Sequence, residues 1–285
     1  MVGATKSGAI APPRWLVAMT REAMAPAMVS CAKERGGLSK SQGPSTLAEV
    51  KRMNGIPYAS VVGSIMYAVR CTRPDVAFSQ NLTSRYQQNP GESHWTAVKN
   101  ILKYLRNTKD MFLVYGGDST TKLSVTCYTD ASWETDRDDL RSQTGYVFIM
   151  NRGVVDWKSS KQITTAMSST EAEYIAASEA AMTAIWIRKF IFWLGIVPSI
   201  DRPMDMYCDN TGAITIADEP GVQKGAKHFR RKYHFIREVI QEGDIRILKV
   251  HTDNNLADPF TKPMPCAKHV EHARSIGLRP AGSFM

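Results

Sequence analysis

The sequence predicts a mixed α/β protein: a five-stranded sheet with flanking helices, preceded by a small helical unit. Three observations predict it. Three runs of strand character, Leu123 to Tyr128, Gly145 to Met150 and Val154 to Lys158, follow one another, the last two joined by the turn Asn151-Arg152-Gly153. A long helical run, Ser169 to Leu194, comes next, and two more strand-like segments, Met204 to Cys208 and Ile245 to Val250, follow with helices between them. Upstream, three segments repeat their apolar residues at helical spacing. Strands in succession, then helices around two further strands, make an antiparallel meander within a mixed sheet.

Taken in order, residues 1–37 show no sustained period, and Glu22 and Glu34 interrupt what would otherwise resemble a transit peptide; they read as a flexible leader. Leu38 to Pro57 is polar and punctuated by Gly43-Pro44 and Ile56-Pro57, a linker with one short helix around Leu47 to Met53. Val61, Val62, Ile65, Met66 and Val69 put a helix over Tyr58 to Arg70. Arg73-Pro74-Asp75 opens a second, which should bury Val76, Phe78, Leu82 and Tyr86. A third starts at Ser93 as candidate N-cap and presents Lys99, Lys103, Arg106 and Lys109 outward, either as a solvated face or as a nucleic-acid backbone contact. Asp110 to Tyr115 is strand-like, and Gly116-Gly117-Asp118 marks a boundary. Past the long helix, Thr211 to Ala217 and Lys227 to Glu242 read as helices. The expected division is 1–37 leader, 38–117 helical unit, 118–265 sheet unit and 266–285 tail.

Composition fits a globular chain with a core, at 43% hydrophobic and 22% charged residues. No apolar run reaches the roughly 18 residues of a membrane span, since Arg188-Lys189 and Gly195 break the most apolar one; no membrane partner is expected. The five cysteines form no Cys-x-x-Cys pair, which argues against a zinc knuckle and a disulfide framework and for an intracellular setting. The net charge of +9 is uneven: residues 1–120 hold 15 Lys and Arg against 7 Asp and Glu, and the rest is nearly balanced. A basic first half beside a half with clustered acids suits a polyanion held by one part and worked on by another.

The acids carry the chemistry. Asp130 and Asp209 each stand at the predicted exit of a strand, and Asp258 at the predicted start of a final helix, where free N–H groups favour an anion. On the long helix, about 100° per residue separates its two glutamates. Glu173 falls on the face of Ala176, Ala177, Ala180 and Ala184, and Glu171 on the opposite one. Small alanines let the helix approach the sheet, and an acid there needs a cation. Four carboxylates without a His/Cys cluster suit Mg²⁺, which takes hard oxygen ligands, and do not suit zinc. Paired Mg²⁺ ions roughly 4 Å apart hydrolyse phosphodiesters.

Tyr128-Thr129-Asp130-Ala131, Ser168-Ser169-Thr170-Glu171-Ala172-Glu173-Tyr174, Cys208-Asp209-Asn210 and Ala257-Asp258-Pro259-Phe260-Thr261-Lys262 resemble the ribonuclease H domain of copia-type LTR retrotransposon Pol polyproteins. Arg141-Ser142-Gln143-Thr144-Gly145-Tyr146, Trp157-Lys158-Ser159-Ser160-Lys161-Gln162 and Tyr233-His234-Phe235-Ile236-Arg237 are similar to it as well. Upstream, Val62-Gly63-Ser64-Ile65-Met66-Tyr67 and Thr72-Arg73-Pro74-Asp75 resemble the stretch between polymerase and ribonuclease H in that family. The resemblance implies a ribonuclease H-like sheet behind a remnant of reverse transcriptase, and an endonuclease that cuts the RNA strand of RNA/DNA hybrids with two Mg²⁺ ions, Mn²⁺ being an alternative. It implies Asp130, Glu173, Asp209 and Asp258 as catalytic metal ligands, with Asp130 bridging, and His251 as an auxiliary candidate. On the helix from Lys227, the basic residues Lys227, Arg230, Arg231 and Arg237 are candidates for hybrid phosphates.

No Tyr-x-Asp-Asp turn is present, so the expected partners are the hybrid and a polymerase part of Pol that this sequence lacks. An active element would place it in a cytoplasmic particle or the nucleus. An integrase would present its acids as Asp, Asp, Glu, whereas here they run Asp, Glu, Asp, Asp. The alternative is a relic that folds and binds nucleic acid without cutting it.

Overall fold

Helix α1 (Leu47–Asn54) starts where Thr46 accepts from the Glu49 N–H and Glu49 accepts in return from the Thr46 N–H, the reciprocal cap that Thr-x-x-Glu spacing supplies. The computed structural model describes residues 37–116, 124–195, 202–219 and 234–283. The helical unit continues with α2 (Tyr58–Cys71), α3 (Ala77–Ser84) and α4 (Glu92–Asn107). Tyr58, Val62, Ile65 and Val69 form the buried stripe of α2, at the spacing one helix face requires. Val76, Phe78 and Tyr86 are buried as expected, and Leu82 is half-buried.

Two local readings change. Helix α4 is preceded by Gly91, whose N–H donates to His94 Nδ1 at 2.9 Å, so Ser93 lies inside the first turn and is not the cap. A Cβ at position 91 would meet the Gln42 carbonyl oxygen at 1.8 Å, so this cap is dictated by a distant strand of chain. For the same reason the stretch from Leu38 is no free linker. Leu38 is buried, its carbonyl accepts the Tyr86 hydroxyl at 2.9 Å, and the Ser39 carbonyl lies 3.0 Å from His94 Nε2.

The remaining elements are β1 (Met111–Leu113), β2 (Val125–Ser132), β3 (Gln143–Met150), β4 (Gly153–Lys161), α5 (Ser169–Leu194), β5 (Met204–Cys208), α6 (Thr211–Asp218), α7 (Phe235–Gln241), β6 (Ile245–Lys249), α8 (Cys266–Ser275) and β7 (Leu278–Pro280). Five strands form one sheet in the order β4-β3-β2-β5-β6. The first three are an antiparallel meander, and β5 and β6 run parallel to β2. This is the predicted five-stranded mixed sheet with flanking helices. The segment expected as a tail carries α8 and β7 in its described residues, and β7 pairs antiparallel with β1.

Alternation along β3 sends side chains to two different cores. Tyr146 and Phe148 pack with the alanines and isoleucines of α5, while Val147 and Ile149 join the helical unit, Phe260 and α8 on the other face. The unit 37–107 is therefore a layer of the same fold, with α3 packed on β4. Buried polar contacts tie the layer down: Arg73 bonds both Asp75 carboxylate oxygens, at 3.0 and 2.7 Å, Tyr104 donates to Asp75 at 2.7 Å, and His269 of α8 lies 3.1 Å from the Asp75 carbonyl.

Gly145 marks a close approach of the 257–261 segment to the sheet. A Cβ there would meet Thr261 Cγ2 at 2.6 Å and Phe260 Cβ at 2.8 Å. Gly145→Ala must push that segment away, and overpacking of this kind costs about 1–3 kcal/mol. Urea denaturation of the variant should show that loss; an unchanged midpoint would mean the segment is not seated as described.

Candidate metal centre

Asp130 is not at a strand exit. Backbone pairing carries β2 on to Ser132, with Asp130 opposite Gly145, so the carboxylate sits within the strand and is almost completely buried. Two strands meet here: Thr129 of β2 is level with Cys208 of β5, which puts Asp209, the next residue, beside Asp130. Helix α5 runs over the Ser169–Leu194 span predicted, with Ser168 capping it by accepting from the Glu171 N–H at 3.1 Å. Ala172, Ala176, Ala177 and Ala180 are buried against the sheet, and Glu173 comes in with them to accept from the Ala131 N–H. Glu171 turns elsewhere and accepts from the Met167 N–H at 2.9 Å.

Asp258 arrives differently from the prediction. It begins a three-residue 3-10 turn, Asp258–Phe260, and the last α-helix starts only at Cys266. Pro263 and Pro265 break the stretch between them, so helix-terminus stabilisation of the anion does not apply. A buried asparagine places it instead. Asn255 Nδ2 donates to the Thr129 carbonyl at 2.9 Å, and Asn255 Oδ1 accepts from the Ala257 N–H at 3.1 Å, pinning the turn against β2.

One oxygen from each of Asp130, Asp209 and Asp258 lies within 4.8 Å of the other two, and a second group of that span joins Glu173, Cys208 and Asp209. Asp209 is thus common to both groups. Burial, with Glu173 nearby, pushes the Cys208 thiol well up, which disfavours the thiolate next to the carboxylates in the metal-free protein. Burial pushes Asp130 up to about 7, helped by Asp258 and Asp209 and opposed by Lys262 and the Thr261 hydroxyl. Glu173 is raised by burial and then by Asp130 and Asp209, and Asp258 by burial against the pull of Lys262. Glu173 Oε2 is buried without a hydrogen-bond partner. An orphaned carboxylate oxygen in an oxygen-only cluster of mutually repelling acids fits Mg²⁺ or Mn²⁺.

Three side chains at the site carried no role in the sequence reading. Asn255 pins the turn, Thr261 donates its hydroxyl to Asp130, and Lys262 Nζ stands 2.8 Å from Asp258 Oδ1 and 3.7 Å from Asp130 Oδ2. Other candidates lie apart. His251 is exposed, and its Nδ1 accepts from the Asp253 N–H at 3.2 Å, outside both acid groups. Arg237 donates to the Ile216 carbonyl at 2.9 Å and lies over the Tyr174 ring, joining α7 to α6 and α5. Lys227, Arg230 and Arg231 lie outside the described residues.

A mixed five-stranded sheet with four carboxylates converging on its centre defines an α/β protein with an oxygen-lined candidate cation site. Over 241 residues, 85% of the chain, the sequence is 41% identical to the retrovirus-related Pol polyprotein from transposon TNT 1-94 of Nicotiana tabacum. Over 223 residues, 78% of the chain, it is 37% identical to that from transposon RE2 of Arabidopsis thaliana. These homologues are retrovirus-related Pol polyproteins of transposons, and the chain spans 18% and 15% of the length of the two. No protein-family model matches it. Among solved structures, the ribonuclease H1 LC11, isolated from compost by a metagenomic approach, is similar with a TM-score of 0.34 at 16% identity, over 48% of this chain and 92% of that one.

Proposed function

We propose that the chain is the ribonuclease H part of a transposon Pol polyprotein, a Mg²⁺-dependent endonuclease that cuts the RNA strand of RNA/DNA hybrids. The observation that carries the proposal is the convergence of Asp130, Glu173, Asp209 and Asp258 from four separate segments, with one buried oxygen of Glu173 left unpaired. When bound, a pair of Mg²⁺ ions supplies activation of a water and charge stabilisation for the departing oxygen of a phosphodiester. The protein's share is to hold the oxygens. Asp130 and Asp209 are fixed by adjacent strands, Glu173 by the capped start of α5, and Asp258 by the turn that Asn255 pins. Substrate choice rests on the sugar 2′-OH and groove shape of a hybrid, which approaches A-form geometry. The polymerase part of Pol is the proposed partner in holding substrate.

The test is cleavage of an end-labelled RNA/DNA hybrid with Mg²⁺, with chelator and Asp209→Asn as controls. Cleavage confined to the RNA strand, and absent with chelator or the substitution, is the expected result. Signal that survives Asp209→Asn, or equal cutting of duplex DNA, would reject the assignment. A relic that folds and binds nucleic acid without cutting would retain hybrid in a mobility-shift assay and release no product.

A further inference from the structure

Lys262 occupies a position inside the acid cluster that a metal site does not need. Its Nζ contacts Asp258 Oδ1 at 2.8 Å and Asp130 Oδ2 at 3.7 Å, bringing together two acids that come from distant parts of the chain. Delivery is local: the Lys262 N–H donates to the Asp258 carbonyl at 3.2 Å, so the turn that presents the acid also presents the ammonium. Thr261, the residue before it, donates its hydroxyl to Asp130 and completes the bracket. The nearby Lys249 reaches the backbone carbonyl of Asp209, and Lys268 is paired with Asp253. Among the described lysines, Lys262 is therefore the one that meets these carboxylates.

We infer that Lys262 is a built-in counter-ion: it holds Asp130 and Asp258 together in the metal-free protein and has to leave them for the cluster to take its full complement of divalent ions. The inference rests on reading the four acids as a metal site. Charge decides the direction of the effect. One divalent ion and the ammonium together leave four carboxylates near neutrality; a second divalent ion turns the ammonium into a like-charged neighbour, and like charges at such spacing in a partly buried site repel strongly. Lys262 can yield, because its side chain is 37% exposed and sits at the wet side of the cluster, whereas those of Asp130 and Asp258 are each 2% exposed. The lysine therefore stabilises the empty site and weakens the last step of metal binding.

Titration calorimetry with Mn²⁺, without nucleic acid, tests this on the wild-type chain, Lys262→Met and Lys262→Arg. In Lys262→Met the weaker Mn²⁺ should bind about tenfold or more tightly, since the competing charge is gone. The same variant should melt lower than wild type in chelator and gain more from saturating Mn²⁺, while Lys262→Arg, which keeps the charge, behaves as wild type. Equal Mn²⁺ affinities and equal metal-induced gains in wild type and Lys262→Met would overturn the inference. A wild-type chain that binds no Mn²⁺ would overturn the metal-site reading, and this inference with it.

If Lys262→Met does not fold, amine acylation of the wild type, read peptide by peptide by mass spectrometry, serves instead. Lys262 should be modified faster at saturating Mn²⁺ than in chelator. An unchanged rate would overturn its displacement.

Discussion

Asp130→Asn should abolish hybrid cleavage while the metal-free protein should melt at a higher temperature than the wild-type chain at pH 8. The two effects have one origin. Asp130 is buried among Asp258, Asp209 and Glu173, and its carboxyl is pushed up to about 7, so its ionised form is disfavoured by folding. A carboxyl that is easier to protonate in the folded than in the unfolded chain makes its full contribution below about pH 4 and loses it as the pH rises toward about 7. The neutral amide has no such cost and still offers an oxygen to the Thr261 hydroxyl. In chelator the wild type should therefore lose stability between about pH 4 and pH 7, and the variant should lack that part of the slope, ending roughly 1–3 kcal/mol ahead at pH 8.

Activity moves the other way. Ion-assisted charge stabilisation is worth several kcal/mol, and each 1.36 kcal/mol is tenfold in rate, so loss of a ligand at the centre should cost about a thousandfold or more. Thermal melts across pH, in chelator and in Mg²⁺, together with single-turnover cleavage, measure both arms. A variant that is inactive and also less stable at pH 8 would show that Asp130 is structural.

The second large effect concerns the helical unit. Ile101→Ala, 29 residues in sequence from Asp130, the nearest of the proposed metal-binding acids, should lower the stability of the whole molecule by about 2–5 kcal/mol in one cooperative transition. Ile101 is fully buried in the core that also contains Val147, Val154, Phe260, Ile276 and Leu278, so the cavity opens against the sheet itself. A fragment of residues 110–283 would leave that face bare and should be insoluble or molten, with weak near-ultraviolet dichroism. A soluble fragment with a sharp melt would show that the sheet is an independent unit.

What the sequence made legible depended on how local the cause was. Helix α5 was bounded correctly because both of its ends are set by neighbours in sequence: Ser168 caps the start, and Gly195 ends it in left-handed backbone with φ 66°. Glu173 was separated from Glu171 because helix geometry alone assigns their faces. The end of β2 was not legible. Asp130 to Ser132 are strand only through their pairing with β3, and a buried Asp in a strand runs against propensity. Gly91 as a cap depends on Gln42, and the roles of Asn255, Thr261 and Lys262 depend on a turn folding back onto residues more than a hundred positions away. Asp258 was picked by type and setting, but its presumed helix gave way to a proline-broken turn.

The pairing of β1 with β7 means that the two sides of the 116–124 junction grip one another without it. Strand β1 lies before the junction and pairs with a strand close to the end of the described chain, and α2, α3 and α4 lie before it and share a core with β3 and β4 after it. A single backbone cut at that junction would not separate the halves: the nicked protein would travel as one particle, its two pieces behaving as complementing subunits.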